Sequence, residues 1–156
     1  MGDAAQVLDA ARARGWRIAT AESCTGGLIA GALTEVPGSS DVVECGYVTY
    51  SNAAKTRMLG VTAAALDAHG AVSEEVAREM AHGAWGRAGV DLAVSVTGIA
   101  GPGGSEFKPE GMVCFGLATP TGVITETMQF GALGRAQVRQ TTVERALTLL
   151  LQACDS

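Results

Sequence analysis

The chain has 156 residues, 47% of them apolar and 17% charged, which is enough hydrophobic material for one core and too much for a disordered segment. Its 16 acidic and 11 basic residues give a net charge of −5, which argues against a general nucleic-acid-binding surface. We therefore expect one domain over residues 1–156 that has no nucleic-acid partner.

The first half of the chain alternates helical and extended patterns. Gly15 and Gly70 are typical helix ends, while Ser51 or Asn52 and then Ser73 are typical N-caps. In chain order these patterns predict helix 4–14, strand 16–21, helix 25–35, strand 42–50, and helices 52–59, 62–69 and 73–87.

The second half begins with an apolar run that is typical of a buried strand and ends with an amphipathic helix. In chain order we expect strand 92–97, a glycine-rich loop at 98–111, a hairpin of strands 112–119 and 123–130, and helix 135–153. Strands that alternate with helices and then form a hairpin indicate an α/β fold. The predicted architecture is a three-layer α/β/α sandwich with a mixed, mostly parallel sheet and a C-terminal β-hairpin.

Two polar, glycine-rich loops, at residues 22–27 and 97–104, follow predicted strands. Ligand sites in open α/β sheets form beyond the carboxyl ends of strands, so we expect these loops to face each other across a pocket. The second loop matches neither the Walker pattern nor the dinucleotide-binding glycine pattern. Its candidate binding residues are Gly98 and Gly101.

The first loop supplies the candidate binding residues Glu22, Ser23, Thr25, Gly26 and Gly27. Exposed N–H groups at a helix start can hold an anion or a developing oxyanion. Two glycines weaken a first helical turn, which suggests that a ligand or another backbone approaches closely. The alternative is that Ser23 or Thr25 only caps the helix. Glu22 could likewise orient a nearby cation or satisfy N–H groups at the helix start.

The four cysteines show no paired spacing and no neighbouring histidine pair, so we expect no metal site and no cofactor. The N-terminus has no secretory pattern, and the uncharged windows are too short to cross a bilayer. We therefore expect a cytoplasmic protein with free thiols and no membrane partner.

A serine and a lysine flank the predicted strand at 42–50. Ser40 could be a nucleophile if Lys55 is a neutral base, and Tyr50 could orient or relay the proton. His69 and His82 lack the context of a catalytic base. No nucleophile-elbow pattern is present, and a lysine exposed on a helix remains the alternative interpretation.

Several long segments together resemble the CinA C-terminal domain family. They are TAESCTGGLIA (20–30), PGSS (37–40), YVTYSNAAKTRMLGV (47–61), HGAVSEEVAREMAHGA (69–84), SVTGIAGPGG (95–104) and KPEG (108–111).

The family includes nicotinamide mononucleotide deamidases, so the resemblance implies an amidohydrolase. Such an enzyme would convert the nucleotide's carboxamide to a carboxylate and ammonia, as a homo-oligomer without a metal. The resemblance implies that Ser40 and Lys55 form the catalytic pair, assisted by Tyr50. It also implies that Ser23 and Thr97 line the site, with Arg135 and neighbouring Arg139 near the substrate phosphate.

This sequence departs from the family pattern around the second loop and the last helix. The Gly-Asp-Arg segment that the family has ahead of that helix is replaced by GALGR at 131–135, and Glu110 stands where valine is common. The changed segment motivates an alternative: a nucleotide-binding or competence-associated module without turnover. An amidohydrolase for a different small amide is a third possibility.

Overall fold

Five strands and six α-helices follow one another along residues 3–156, the part of the chain described by the structure, a computed structural model. The strands are β1 (Ile18–Glu22), β2 (Val43–Val48), β3 (Leu92–Gly98), β4 (Met112–Thr119) and β5 (Gly122–Gln129). The helices are α1 (Ala4–Arg14), α2 (Leu28–Thr34), α3 (Asn52–Leu59), α4 (Ala63–His69), α5 (Glu74–Ala88) and α6 (Arg135–Asp155).

The strands form one mixed sheet in the order β2-β1-β3-β4-β5. Strand β1 is parallel to both of its neighbours, β2 and β3, while β4 is antiparallel to β3 and β5. Four of the five strands therefore run in one direction, and β4 with β5 forms the predicted hairpin. The α/β class and the mixed sheet are confirmed.

Two apolar cores lie on opposite faces of this sheet, because side chains alternate along each strand. Leu92, Val94 and Val96 of β3 pack into one core with α1, α2 and α6. Ala93, between them, packs into the other core with α3, α4 and α5. Helices on both faces are compatible with the predicted three layers.

Local capping signals place the helix ends where the sequence predicts them. The Asp3 side chain accepts from the N–H of Gln6 at the start of α1, and Gly15 ends that helix in the left-handed conformation at φ +69°. Ser51 and Ser73 cap α3 and α5 through their side chains. No helix within residues 3–156 combines the length and apolarity needed to cross a membrane.

The predicted start of the second helix is wrong. Helix α2 begins at Leu28 rather than Thr25, because Gly26 and Gly27 have φ values of +57° and +106° and cannot continue a right-handed helix. The segment before it is a turn that leaves β1. A 3₁₀ helix at Ser39–Asp41, which the sequence patterns did not indicate, precedes β2.

Candidate active site

A cavity of about 380 Å³ opens at the carboxyl ends of the parallel strands. This volume lies within the range of small-molecule sites. Ser23 and Cys24 from the turn after β1 line one part, and residues 97–104 line another. The two glycine-rich loops therefore face each other across a pocket, as their positions after strands predict.

A buried lysine stands at the floor of this cavity. Lys55, in the second turn of α3, is only 1% exposed. Its Nζ is hydrogen-bonded to Ser23 Oγ at 3.0 Å and donates to the main-chain oxygens of Thr49 at 3.0 Å and Tyr50 at 3.2 Å. The end of β2 and the turn after β1 thus fix the amine from two sides.

Burial also sets the protonation of the two groups that neighbour Ser23. It lowers the pKa of Lys55, because a charged ammonium loses its hydration there. It raises the pKa of the Cys24 thiol to about 12, so that thiol stays protonated and is a poor nucleophile. The arrangement can therefore supply a neutral amine within proton-transfer distance of a serine hydroxyl.

Glu22 holds the turn that carries Ser23. Its carboxylate is fully buried and accepts from the Thr25 hydroxyl at 2.6 Å and from the N–H groups of Ile29 and Ala30, both at 2.9 Å. The N–H of Gly27 and the hydroxyl of Thr20 also point to it. Glu22 therefore anchors the start of α2, the second of the two roles that the sequence allows it.

Glu22→Gln should lower the free energy of unfolding by about 2–4 kcal/mol, because an amide nitrogen would face donors that now meet a carboxylate oxygen. Chemical denaturation would measure the change. Glu35→Gln is the matched control: the same substitution on an exposed side chain at the other end of α2 should cost less than about 0.5 kcal/mol. Equal stability of the two variants would contradict the anchoring role.

An arginine and a tyrosine form the rim of the cavity. Arg135 is the first residue of α6 and donates to the Tyr50 hydroxyl at 2.8 Å and to the main-chain oxygen of Gly101 at 2.6 Å. Glu110 accepts from the N–H groups of Gly103 and Gly134 at 2.8 and 3.0 Å, which ties the glycine loop to the start of α6. The acid that replaces the family's valine thus supports the rim.

Seven predicted site residues lie together around this cavity. Those residues are Ser23, Tyr50, Lys55, Thr97, Gly98, Gly101 and Arg135. Thr97 is buried and donates its hydroxyl to the main-chain oxygen of Ala71, so it connects β3 to the segment before α5.

The structure does not bring Ser40 to Lys55, and the predicted pairing of these residues is corrected. Ser40 is exposed in the 3₁₀ helix before β2, whereas Lys55 contacts the residues that follow β2. The six residues of β2 separate the two positions by roughly 20 Å, at about 3.3 Å per residue. Ser23 takes the place beside the amine.

Five other predicted binding residues lie outside the cavity wall. Glu22 and Thr25 are fully buried in the contact described above, and Gly26 and Gly27 form the turn behind it. Arg139 donates to the main-chain oxygens of Cys24 and Thr25 at 3.1 and 3.2 Å, so it holds the same turn. These residues support Ser23 rather than line the pocket.

The sequence contained a signal that favours Ser23 over Ser40. Ser23 follows a strand and Ser40 precedes one, and only the carboxyl ends of parallel strands border a site in this kind of sheet. Glu106, which also lines the cavity, lies in the predicted glycine-rich loop at 98–111, but no motif in that loop singled it out. Among residues 3–156, no group of His, Cys, Asp and Glu side chains is placed to hold a metal ion.

The fold and this cavity define a layered α/β protein with a buried lysine–serine contact at the carboxyl edge of its sheet. The chain belongs to the CinA C-terminal domain family, whose model matches residues 3–154. The family expectation from the sequence is confirmed.

Relatives and solved structures agree with this assignment. The chain is 56% identical over 147 residues to a CinA-like protein of Chlorobium phaeobacteroides, covering 91% of this chain and 35% of that protein. It is 56% identical over 123 residues to the nicotinamide-nucleotide amidohydrolase PncC of Enterobacter agglomerans, covering 78% and 75% of the two chains. The chain thus spans about a third of the length of the first of these relatives.

Crystal structures of two relatives superpose closely. The competence/damage inducible protein CihA of Agrobacterium tumefaciens is 48% identical with a TM-score of 0.93, covering 98% of this chain and 93% of that one. A CinA superfamily protein of Klebsiella pneumoniae is 37% identical with a TM-score of 0.94, covering 97% and 95%.

Proposed function

We propose that this protein is an amidohydrolase that converts nicotinamide mononucleotide to nicotinate mononucleotide and ammonia. One observation carries the proposal: the buried Lys55 amine lies 3.0 Å from the Ser23 hydroxyl in a cavity of small-molecule size. The relative named for this activity supports the substrate class.

In the proposed reaction, neutral Lys55 takes the proton of Ser23 Oγ, and the oxygen attacks the carboxamide carbon. Main-chain N–H groups of the glycine loop stabilise the oxyanion. Lys55 then returns the proton to the leaving nitrogen, which departs as ammonia and leaves an acyl ester on Ser23. Lys55 next activates a water that cleaves this ester, which releases the carboxylate and restores the serine.

The rim of the cavity fits the other end of this substrate. The Arg135 guanidinium can pair with a phosphate through two N–H groups, and the Tyr50 hydroxyl beside it can donate a further hydrogen bond. Tyr50 therefore acts at the phosphate end through its side chain, while its main-chain oxygen holds Lys55.

Turnover by the purified protein tests the proposal directly. Incubation with nicotinamide mononucleotide should release ammonia and nicotinate mononucleotide in equal amounts, and nicotinamide or its riboside, which lack the phosphate, should be poor substrates. Absence of ammonia with every amide tested would overturn the proposal. The homo-oligomer and the cytoplasmic location expected from the sequence stay predictions.

The changed segment before the last helix, which motivated the non-catalytic alternative, does not support that alternative in the structure. The altered segment at 131–135 still delivers Arg135 to the cavity. Binding of the nucleotide without ammonia release would nevertheless favour that alternative, and the same assay distinguishes the two.

The proposed role of Lys55 also predicts a pH dependence. The amine acts as a base only when neutral, so kcat/KM should rise with pH and level off above the pKa of Lys55 in the folded protein. Because burial lowers that pKa, the midpoint should lie below the value of about 10.4 for a free lysine. A pH–rate profile measures it, and a rate that falls over this range would contradict a neutral amine.

A further inference from the structure

One charged side chain in the cavity has no part in the proposed reaction. Glu106 lines the cavity together with Lys55 and Arg135, the two basic side chains of its wall. Among the wall residues that the structure describes, Glu106 is the only one with an acidic side chain. A carboxylate in a pocket that would bind a phosphate ester needs a separate explanation, because it repels that anion.

The main chain holds Glu106 in a conformation that L-residues rarely adopt. Ser105 and Lys108 exchange two main-chain hydrogen bonds, of 2.9 and 2.8 Å, around the two residues between them. Those residues, Glu106 and Phe107, have φ values of +53° and +62°, which is the geometry of a type I′ turn. Such turns favour asparagine and glycine, so the position of this acid is maintained against local preference.

Side-chain contacts fix the same turn against the segment between α4 and α5. Lys108 Nζ donates to the main-chain oxygens of His69 and Val72. The Glu106 carboxylate faces the N–H of Ala71 at 3.4 Å. Across residues 3–156, no ion pair within 4.0 Å involves this carboxylate, although the Lys108 ammonium lies near it on the same side of Gly70.

The two rim charges have different neighbours in the cavity wall. Arg135 bridges the Tyr50 hydroxyl, after β2, and the main-chain oxygen of Gly101, in the loop after β3. Glu106 contacts Ala71, whose carbonyl accepts from Thr97 of β3. Strand β1, which ends at Glu22 directly before Ser23, lies between β2 and β3. The wall around the reacting serine thus carries a base held at Tyr50 and Gly101 and an acid held at Ala71.

We infer that Glu106 selects for a positive charge on the ring that bears the carboxamide. This inference rests on the proposed function and names the charge state of its substrate: an oxidised pyridinium rather than a neutral dihydropyridine. The electrostatic attraction draws the ring towards Glu106, while Arg135 holds the phosphate.

The test compares two substrates that differ in ring charge and share the carboxamide, ribose and phosphate: nicotinamide mononucleotide and its reduced form. Initial rates are measured with the wild type and Glu106→Gln, and affinities are measured by calorimetry in a Ser23→Ala background. For the oxidised nucleotide, Glu106→Gln should lower both kcat/KM and affinity by about fivefold, which is the upper range for an ion pair open to solvent. For the reduced nucleotide, both quantities should change by less than about twofold. Asp67→Asn, which removes one charge from the exposed face of α4, is the control and should change neither.

Equal losses with both nucleotides would overturn the inference, because they would show a structural role for Glu106. No loss with either would overturn it as well. The calorimetry separates this inference from the proposed function. If the wild type releases no ammonia but Glu106→Gln still weakens binding of the oxidised nucleotide alone, charge recognition is supported while the amidohydrolase proposal fails.

Discussion

Ser23→Ala protein should hydrolyse nicotinamide mononucleotide at least about 10³-fold more slowly than the wild type. The substitution removes the one oxygen among residues 3–156 that lies within 3.0 Å of the Lys55 amine and can form an acyl ester. Main-chain oxygens, the other partners of that amine, are not nucleophiles. Substrate affinity should change little, since the loss concerns bond formation rather than the phosphate contacts. Rate measurements under single-turnover conditions, with calorimetry for binding, would separate these effects.

Ser40→Ala is the matched control for that experiment. It makes the same chemical change at the serine that the sequence predicts as nucleophile, which is exposed at the amino end of β2. We expect a rate within about twofold of the wild type, as for surface substitutions in general. A large loss in Ser40→Ala with an active Ser23→Ala would return the nucleophile to Ser40 and contradict the pair seen in the structure.

Lys55→Met should lose activity to a similar extent, about 10³-fold or more, because no other amine reaches Ser23 within the described chain. Methionine keeps the length of the side chain and suits its burial, so the fold should survive. Lys55→Arg should be equally inactive for a different reason, since a guanidinium stays protonated and cannot accept the serine proton. Circular dichroism and thermal unfolding of both variants would confirm folding.

Chemical rescue distinguishes a catalytic base from a side chain that only stabilises the fold. Lys55→Ala opens space where the amine stood, and added methylamine or ethylamine should restore part of the rate in proportion to its neutral form. Nicotinate mononucleotide is then the product to quantify, because ammonia assays would detect the amine. A rescued rate that depends on the protonated amine instead would contradict general-base catalysis.

Most helices and strands could be predicted because their signals are local. Caps at Asp3, Ser51 and Ser73, and the left-handed glycine after α1, act within a few residues of the chain. The same reasoning failed at α2. Its start depends on the backbone angles of Gly26 and Gly27, which the buried Glu22 carboxylate and the neighbouring strand together stabilise.

Only part of the candidate site could be predicted from the sequence. The two glycine-rich loops could be placed at one edge of the sheet, because parallel strands direct their carboxyl ends to the same side. The partner of Lys55 could not, since Ser23 lies 32 residues away in the chain while Ser40 is closer in sequence. The resemblance indicated Ser40, which the structure leaves at the other end of β2 from the amine.

The sequence by itself determined the α/β class, the family, the two loops and a lysine of unusual context, because hydrophobic periodicity, caps and long motifs are properties of neighbouring residues. Only the tertiary structure decided which hydroxyl contacts that lysine and which predicted residues support the cavity wall without lining it. Strand order is the physical reason: β1 lies between β2 and β3, so the turn after β1 reaches the amine, while the length of β2 keeps Ser40 at the far edge.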